Sequence, residues 1–142
     1  MSTVIVNTLT GTTTAGSISV TGEGNSTTTN LQQGLAKAWS AFSATSTPAS
    51  TDSNNIASIT DNASGRFTMN YTSNMRAAKA YTISGHNADA TDVTTYSYGT
   101  QPHQDDDVTT SSAEVVTVYV TSNDSGISDK AFNSFLIHGD LA

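Results

Sequence analysis

The sequence predicts an all-β protein, and three observations support this prediction. Thr and Ser together make up 45 of the 142 residues, and Thr fits the pleated, half-buried surface of a strand. Charged residues account for only 12% of the chain, about half the share that is usual in globular proteins. Short segments of alternating polarity recur between polar turns. The scarcity of Glu, Lys and Leu excludes a coiled coil or a helical bundle.

The region from Ala36 onward carries the strand pattern, with about seven strands in roughly 105 residues, a spacing typical of an antiparallel β-sandwich or jelly roll. The strongest signal is the alternation of Phe67, Met69 and Tyr71. Asp61–Gly65 precedes it as a hairpin turn, because Asp and Asn tolerate left-handed geometry and Gly supplies positive φ. The predicted strands begin at Ala36 and continue with Ile56–Thr60, Phe67–Tyr71, a strand from Tyr81, Thr94–Tyr98, Val115–Val120 and Phe132–Ile137. Thr45–Asn55, which contains Pro48, is predicted to be a loop.

All ten aromatic residues lie in the same region, so we expect it to hold the only independent core. The aromatic residues expected in that core are Trp39, Phe67, Tyr71, Phe132 and Phe135.

The first thirty residues are a low-complexity stretch of Thr, Ser, Gly and Asn. Val4–Val6 and Ile18–Val20 are β-patterned pieces within it, but the segment has too little apolar surface to offset its ordering entropy alone. Two interpretations stay open. The segment is disordered, or identical copies from neighbouring subunits pack together.

A short helix is predicted next. Asn30 is a suitable N-cap with Gln33 as its capping-box partner, and Leu31 and Leu35 would share a face. We therefore divide the chain into residues 1–35, an extended β-rich arm with a short helix, and residues 36–142, a β-sandwich domain.

The charge balance excludes several partners. The net charge is −7, and the five basic residues cannot form the cationic stripe that nucleic-acid binding requires. No apolar run approaches the roughly 20 residues of a membrane span, so we expect neither nucleic acid nor membrane insertion. The chain has no cysteine, which excludes disulfides and thiolate metal sites.

Two acidic loops are candidate chemical sites. His103–Asp107 has clustered carboxylates that could hold a divalent cation, but a solvated loop extended by like charges explains the same pattern. Asp89 and Asp92 could be an acid–base pair, yet hydrolysis needs two carboxylates at a fixed distance beside a cleft. We therefore expect no catalytic residues, no metal ligands and no cofactor.

Tyr96 and Tyr98 are the candidate receptor or sugar contacts. They lie in a polar context beside Gly99, and an exposed tyrosine can pack its ring on an apolar surface while its hydroxyl forms hydrogen bonds. Pairing of these rings within the fold or an oligomer is the alternative interpretation.

Four segments carry a resemblance to a known family: Val4–Gly11 (VIVNTLTG), Thr14–Gly24 (TAGSISVTGEG), Asn30–Trp39 (NLQQGLAKAW) and Ile56–Asn70 (IASITDNASGRFTMN). The first three resemble the opening of tail-fibre-like virion proteins of marine bacteriophages, including cyanophages. The fourth is similar to the strand–turn–strand that follows in those proteins. Many relatives have a bulkier, more Gly-rich stretch after the Trp, where this chain has Ser40–Thr45.

The resemblance implies a non-enzymatic virion structural protein of the fibre or capsid-decoration type. Such proteins are usually homotrimers, so residues 1–35 would attach to the particle and residues 36–142 would point outward. The implied partners are further copies of the chain, other virion proteins, and a glycan or protein on the host cell. The implied location is the surface of the head or tail of a virion assembled in the host cytoplasm.

Two other functions were weighed. A carbohydrate-binding module or polysaccharide depolymerase could occupy the same fibre scaffold, and paired carboxylates in a cleft would support the depolymerase. A freestanding secreted adhesin would need an export signal, and residues 1–7 lack the basic and apolar regions of one.

Overall fold

The computed structural model describes residues 3–11, 18–21, 28–88, 97–104, 107–120, 123–139 and 141. The chain divides into two compact units, Met1–Leu35 and Ala36–Ala142. Within these described ranges, no helix has the length and apolar character needed to cross a membrane.

The described residues of the first unit include one strand pair and one helical turn. Strand β1 (Ser19–Thr21) pairs antiparallel with β2 (Thr28–Asn30), and one helical turn, α1 (Leu31–Gly34), follows. Val4–Val6 forms no strand. The β-structure that its residue pattern suggested is therefore corrected. The side chains of Val4 and Ile5 are 85% and 90% exposed, so this segment has no core on which a strand could form.

The second unit consists of two antiparallel sheets, which confirms the all-β prediction. Its strands are β3 (Ala36–Ser43), β4 (Ala49–Asn54), β5 (Ile56–Ala63), β6 (Arg66–Tyr71), β7 (Thr82–Ala88), β8 (Ser97–Pro102), β9 (Ser112–Val120), β10 (Ser125–Ile127) and β11 (Phe132–His138). The four-stranded sheet has the order β4-β3-β11-β7. The five-stranded sheet has the order β10-β9-β6-β5, with β8 also paired to β9.

Strand β4 lies within Thr45–Asn55, so the prediction of a loop there was wrong. Its residues are mostly exposed, and it forms because its backbone pairs with the edge of β3. Asn55 alone connects β4 of one sheet to β5 of the other, at a φ of 57°. Asn tolerates this left-handed conformation, and its side chain both accepts from Ser73 N and donates to Ser73 O.

The core contains inward-facing side chains from both sheets. From the five-stranded sheet come Phe67, Met69, Tyr71, Ala113 and Val115, and from the four-stranded sheet Ala38, Phe42, Phe135 and Ile137. The rings of Phe42 and Phe67 meet edge to face, with centroids 5.4 Å apart and planes at 72°, a geometry that aromatic pairs prefer. One cluster of buried residues therefore spans the two sheets.

Two of the aromatic residues expected in the core do not belong to it. Phe132 is 50% exposed, because β11 directs Asn133, Phe135 and Ile137 inward and leaves Phe132 on the opposite face. Trp39 is only partly buried, since it lies on the face of β3 opposite Ala38 and Phe42. Phe67, Tyr71 and Phe135 are buried as expected.

The β5–β6 hairpin turns at Ser64 and Gly65. This confirms only the end of the predicted turn Asp61–Gly65, because β5 continues to Ala63. Gly65 has a φ of 69°, its N–H donates to Asp129 Oδ1 at 2.7 Å, and its carbonyl accepts from Thr117 N at 2.9 Å. Val116 pairs with both Arg66 and Gln101, so β6 and β8 flank β9 on opposite sides. Gly65 therefore fixes the hairpin against the centre of the five-stranded sheet.

Gly65→Ala should destabilise the second unit by roughly 1–3 kcal/mol, the cost of holding a residue in a strained backbone region. An added Cβ would lie 2.6 Å from Ser128 N, so neighbouring backbone must also shift. Urea unfolding monitored by circular dichroism measures the change.

The matched control is Gly99→Ala, whose Cβ would meet only Val118 Cγ2 at 3.7 Å. That variant should stay within about 0.5 kcal/mol of the unmodified chain. Equal stability of the two variants would contradict the role given to Gly65.

Candidate functional site

Several of the candidate residues named from the sequence lie outside the residues that the structure describes. Tyr96 lies outside the described residues. Tyr98 lies on β8, where its backbone pairs with Tyr119, and its role in recognition stays a prediction. Asp89 and Asp92 lie outside the described residues. Asp105 and Asp106 do so too, whereas Asp107 is described.

Four charged or titratable side chains meet at the outer face of the five-stranded sheet. This charged cluster consists of Arg66, His103, Asp107 and Glu114. Arg66 and Glu114 lie on the adjacent strands β6 and β9, on the faces opposite the core. His103 follows β8 on the other side of β9, where its backbone N–H donates to Glu114 O at 2.9 Å. The adjacency of β6, β9 and the end of β8 thus brings together residues that are far apart in sequence.

Glu114 is the centre of the cluster. Its Oε1 accepts from Arg66 Nε at 2.6 Å and lies 2.6 Å from the second guanidinium nitrogen, Nη2. The Glu114 side chain is 13% exposed and the Arg66 side chain 34%, so the pair is partly shielded from water. A charge-assisted contact in such a position is stronger than a neutral hydrogen bond.

His103 links Asp107 to the Arg66–Glu114 pair. Its Nδ1 lies 2.7 Å from Asp107 Oδ2, 3.3 Å from Arg66 Nη2 and 3.6 Å from Glu114 Oε1. One ring nitrogen carries either a proton or a lone pair, so it cannot both donate to Asp107 and accept from Arg66. The shorter distance and the two nearby carboxylates favour Nδ1–H donating to Asp107. His103 therefore holds Asp107 against the sheet.

The same three side chains form a set of metal-ligand atoms. His103, Asp107 and Glu114 each offer one atom, all within 4.8 Å of one another. The Arg66 guanidinium already pairs with Glu114, and its positive charge repels an incoming cation. We interpret the cluster as a charge network that ties Asp107 to the five-stranded sheet.

An open depression of about 460 Å³ lies beside the cluster, lined by Lys79, Tyr81, residues 101–104 and Val108. Lys79 has a φ of 60°, which is uncommon for a residue with a side chain. Amide, imidazole and ammonium groups at its wall can form hydrogen bonds, and Pro102 and Val108 add apolar surface. The depression has the size and mixed polarity to accept a small polar molecule.

A tyrosine pair connects this wall to the core. Tyr71 Oη donates to Tyr81 Oη at 3.2 Å, and Tyr81 Oη donates to Thr109 O at 2.7 Å. Burial raises the pKa of Tyr71, and the hydrogen bond from its hydroxyl to Tyr81 raises it further. Burial also raises the pKa of Tyr81, against a smaller lowering by its bond to Tyr71.

Two of the four residues in the charged cluster could be identified from the sequence. His103 and Asp107 belong to the loop that the sequence singled out, but Arg66 and Glu114 were missed because they are 48 residues apart. The available signal was a charged residue directly before each of two predicted strands, Phe67–Tyr71 and Val115–Val120. That pattern alone does not show which strands are adjacent.

Glu114→Gln should lower the free energy of unfolding by about 1.5–3 kcal/mol, the range for a hydrogen bond to a charged group. The change keeps the side-chain size but removes the charge that pairs with Arg66. Denaturant unfolding at low and high salt measures it, and salt should reduce the difference.

Asp61→Asn is the control, because Asp61 is an exposed acidic residue on β5. It should change stability by no more than about 0.5 kcal/mol. Equal effects of the two variants would show that the cluster contributes nothing beyond surface charge.

Alkaline pH should destabilise the second unit through Tyr71. Because the pKa of Tyr71 is raised in the folded state, its stabilising contribution is complete below the unfolded pKa of about 10 and declines above it, as the unfolded chain loses the proton first. The slope from this residue approaches about 1.4 kcal/mol per pH unit. Urea unfolding at a series of pH values should therefore show a shallower decline for Tyr71→Phe than for the unmodified chain. Parallel declines would rule out the buried, neutral tyrosine.

A comparison with protein-family models finds no match, and comparisons with curated proteins and with solved structures find none either. The resemblance to virion proteins of marine bacteriophages therefore rests on the sequence motifs alone. Any functional conclusion has to come from those motifs together with the geometry of the chain.

Proposed function

We propose that this chain is a structural protein of a bacteriophage virion, of the fibre or capsid-decoration type, in which residues 1–35 assemble with other chains. The observation that carries the proposal is the exposure of apolar side chains in that arm. Val4, Ile5 and Leu9 are 85%, 90% and 62% exposed. Val6, in the same segment, is 59% exposed.

Exposed apolar side chains gain stability when association removes them from water. Burying one Val, Leu or Ile side chain contributes about 1.5–3 kcal/mol. The arm cannot obtain this stabilisation within its own unit, whereas packing against identical arms or a virion surface would provide it. A homotrimer that displays three copies would also convert weak single contacts into strong multivalent binding.

The second unit suits the outward part of such an assembly. Two antiparallel sheets that contribute to one core support a β-sandwich interpretation. On this proposal the sandwich stabilises the particle surface or contacts a glycan or protein of the host cell, with Tyr96 and Tyr98 as the candidate contacts. Assembly takes place in the host cytoplasm, and the mature location is the surface of the head or tail.

A non-catalytic role is part of the proposal. Glu114 is paired with Arg66, and Asp107 with His103, so both described carboxylates of the charged cluster already have structural partners. General acid–base hydrolysis would need one carboxyl group poised to give up a proton beside a substrate.

The alternative function is a carbohydrate-binding module or a polysaccharide depolymerase on a fibre scaffold. The depression beside His103 and Tyr81 favours the binding module, because sugars are bound by polar side chains next to apolar surface. If the chain binds host polysaccharide saturably, and Gln101→Ala abolishes that binding, the carbohydrate-binding module is favoured. Release of reducing ends would favour the depolymerase.

Removal of the arm should abolish assembly without unfolding the second unit. The full chain should be a trimer at micromolar concentration, and a 36–142 fragment a folded monomer that no longer joins the virion. The reason is that every core residue among those the structure describes lies within residues 36–142. Light scattering and thermal unfolding measure the two properties.

A matched pair of full-length variants separates apolar contacts from chain length. Val4→Ser with Ile5→Ser should weaken the trimer, whereas Thr8→Ser with Thr10→Ser should leave it unchanged. A full chain that is monomeric, or a fragment that still assembles, would contradict the proposed role of the arm.

A further inference from the structure

Two buried asparagines lie directly opposite each other in the four-stranded sheet. Asn87 on β7 pairs in register with Asn133 on β11, and the two residues are 5% and 0% exposed. Asn133 occupies an inward position in the same alternation as the core residues Phe135 and Ile137. Two amide side chains thus occupy neighbouring positions in the interior.

The amide nitrogens of both side chains are fully used. Asn87 Nδ2 donates to Gly99 O at 2.7 Å and to Val118 O at 3.2 Å. Asn133 Nδ2 donates to Lys130 O at 2.9 Å and to Phe42 O at 3.4 Å. All four partners are carbonyl oxygens, which only accept. Rotating either amide by half a turn would place oxygen against oxygen, so the orientation of both groups is fixed.

The amide oxygens are in the opposite situation. Among the residues that the structure describes, no donor reaches Asn87 Oδ1 or Asn133 Oδ1, and both atoms are buried. A buried acceptor without a donor is costly, and native proteins satisfy such groups from the chain or with ordered water. Two acceptors on neighbouring strands therefore require donors from the same small region.

We propose that Asn87 and Asn133 form a binding site for one internal water molecule, which donates one hydrogen bond to each Oδ1. Side chains directly opposite each other have Cβ atoms about 4.5–5.5 Å apart, a separation that a single water can bridge. Water supplies two donors for two acceptors. A metal cation matches the site less well, because the partners that the described residues give these two amides include no carboxylate.

The bound water has a structural role in joining the two sheets. Asn87 belongs to the four-stranded sheet, but its Nδ2 bonds to carbonyls of β8 and β9 in the five-stranded sheet. Thr100 Oγ1 on β8 also donates to His86 O on β7, at 3.3 Å. The water links Asn133 to this seam and so connects β11 with β7, β8 and β9 through one polar network.

A high-resolution crystal structure of the full chain tests the site directly. It should show one oxygen peak about 2.7–3.2 Å from both Oδ1 atoms. Crystals soaked in rubidium should show no anomalous signal there. A chain donor on either Oδ1, an anomalous peak, or two amides with no bridging density would each overturn the proposal.

Water-oxygen magnetic relaxation dispersion gives an independent count of long-lived waters in solution. Asn133→Leu should remove the contribution of one water, because it deletes one of the two acceptors. Asn70→Leu is the control, since Asn70 bonds to Ser58 and Thr60 on the exposed face, and it should leave the count unchanged. An unchanged count in a folded Asn133→Leu variant would overturn the proposal. If that variant does not fold, the crystal structure of the unmodified chain decides.

Discussion

The contact between Phe42 and Phe67 is the interaction on which the second unit depends. Phe42 comes from the four-stranded sheet and Phe67 from the five-stranded sheet, and their rings meet edge to face at 5.4 Å. Both are among the largest fully buried side chains of the described residues. Each sheet alone would expose one apolar face, and this contact lies where the two faces meet. The Asn55 connection and the seam at Asn87 hold the sheets together around it through backbone geometry and hydrogen bonds.

The sequence predicted the parts of the fold that local pattern controls. The alternation from Phe67 to Tyr71 and the turn at Gly65 were correct, because period-two burial and positive φ leave a direct trace in residue type. Phe132 was wrongly assigned to the core together with Phe135, although residues three apart on one strand face opposite sides. Strand β4 was missed because an exposed edge strand needs no apolar pattern, only a partner with free backbone groups.

The candidate site was less predictable than the fold, because it is made by strand order. His103 and Asp107 are close in sequence and were considered together, whereas Arg66 and Glu114 join them only because β6, β9 and β8 are adjacent. The Asn87–Asn133 pair has the same origin. Asparagine usually marks a turn or an exposed position, so composition gave no sign that two of them occupy the interior.

Both sheets are expected to form one cooperative core, to which the described residues 3–11 of the arm do not belong. Amide hydrogen exchange of the full chain, at a dilution where it is monomeric, tests this claim most directly. The slowest amides of β3, β11, β6 and β9 should exchange with one common free energy, which Phe67→Leu lowers equally in all four strands, and residues 3–11 should exchange without protection. Independent opening of the two sheets, or protected amides in the monomeric arm, would contradict the account.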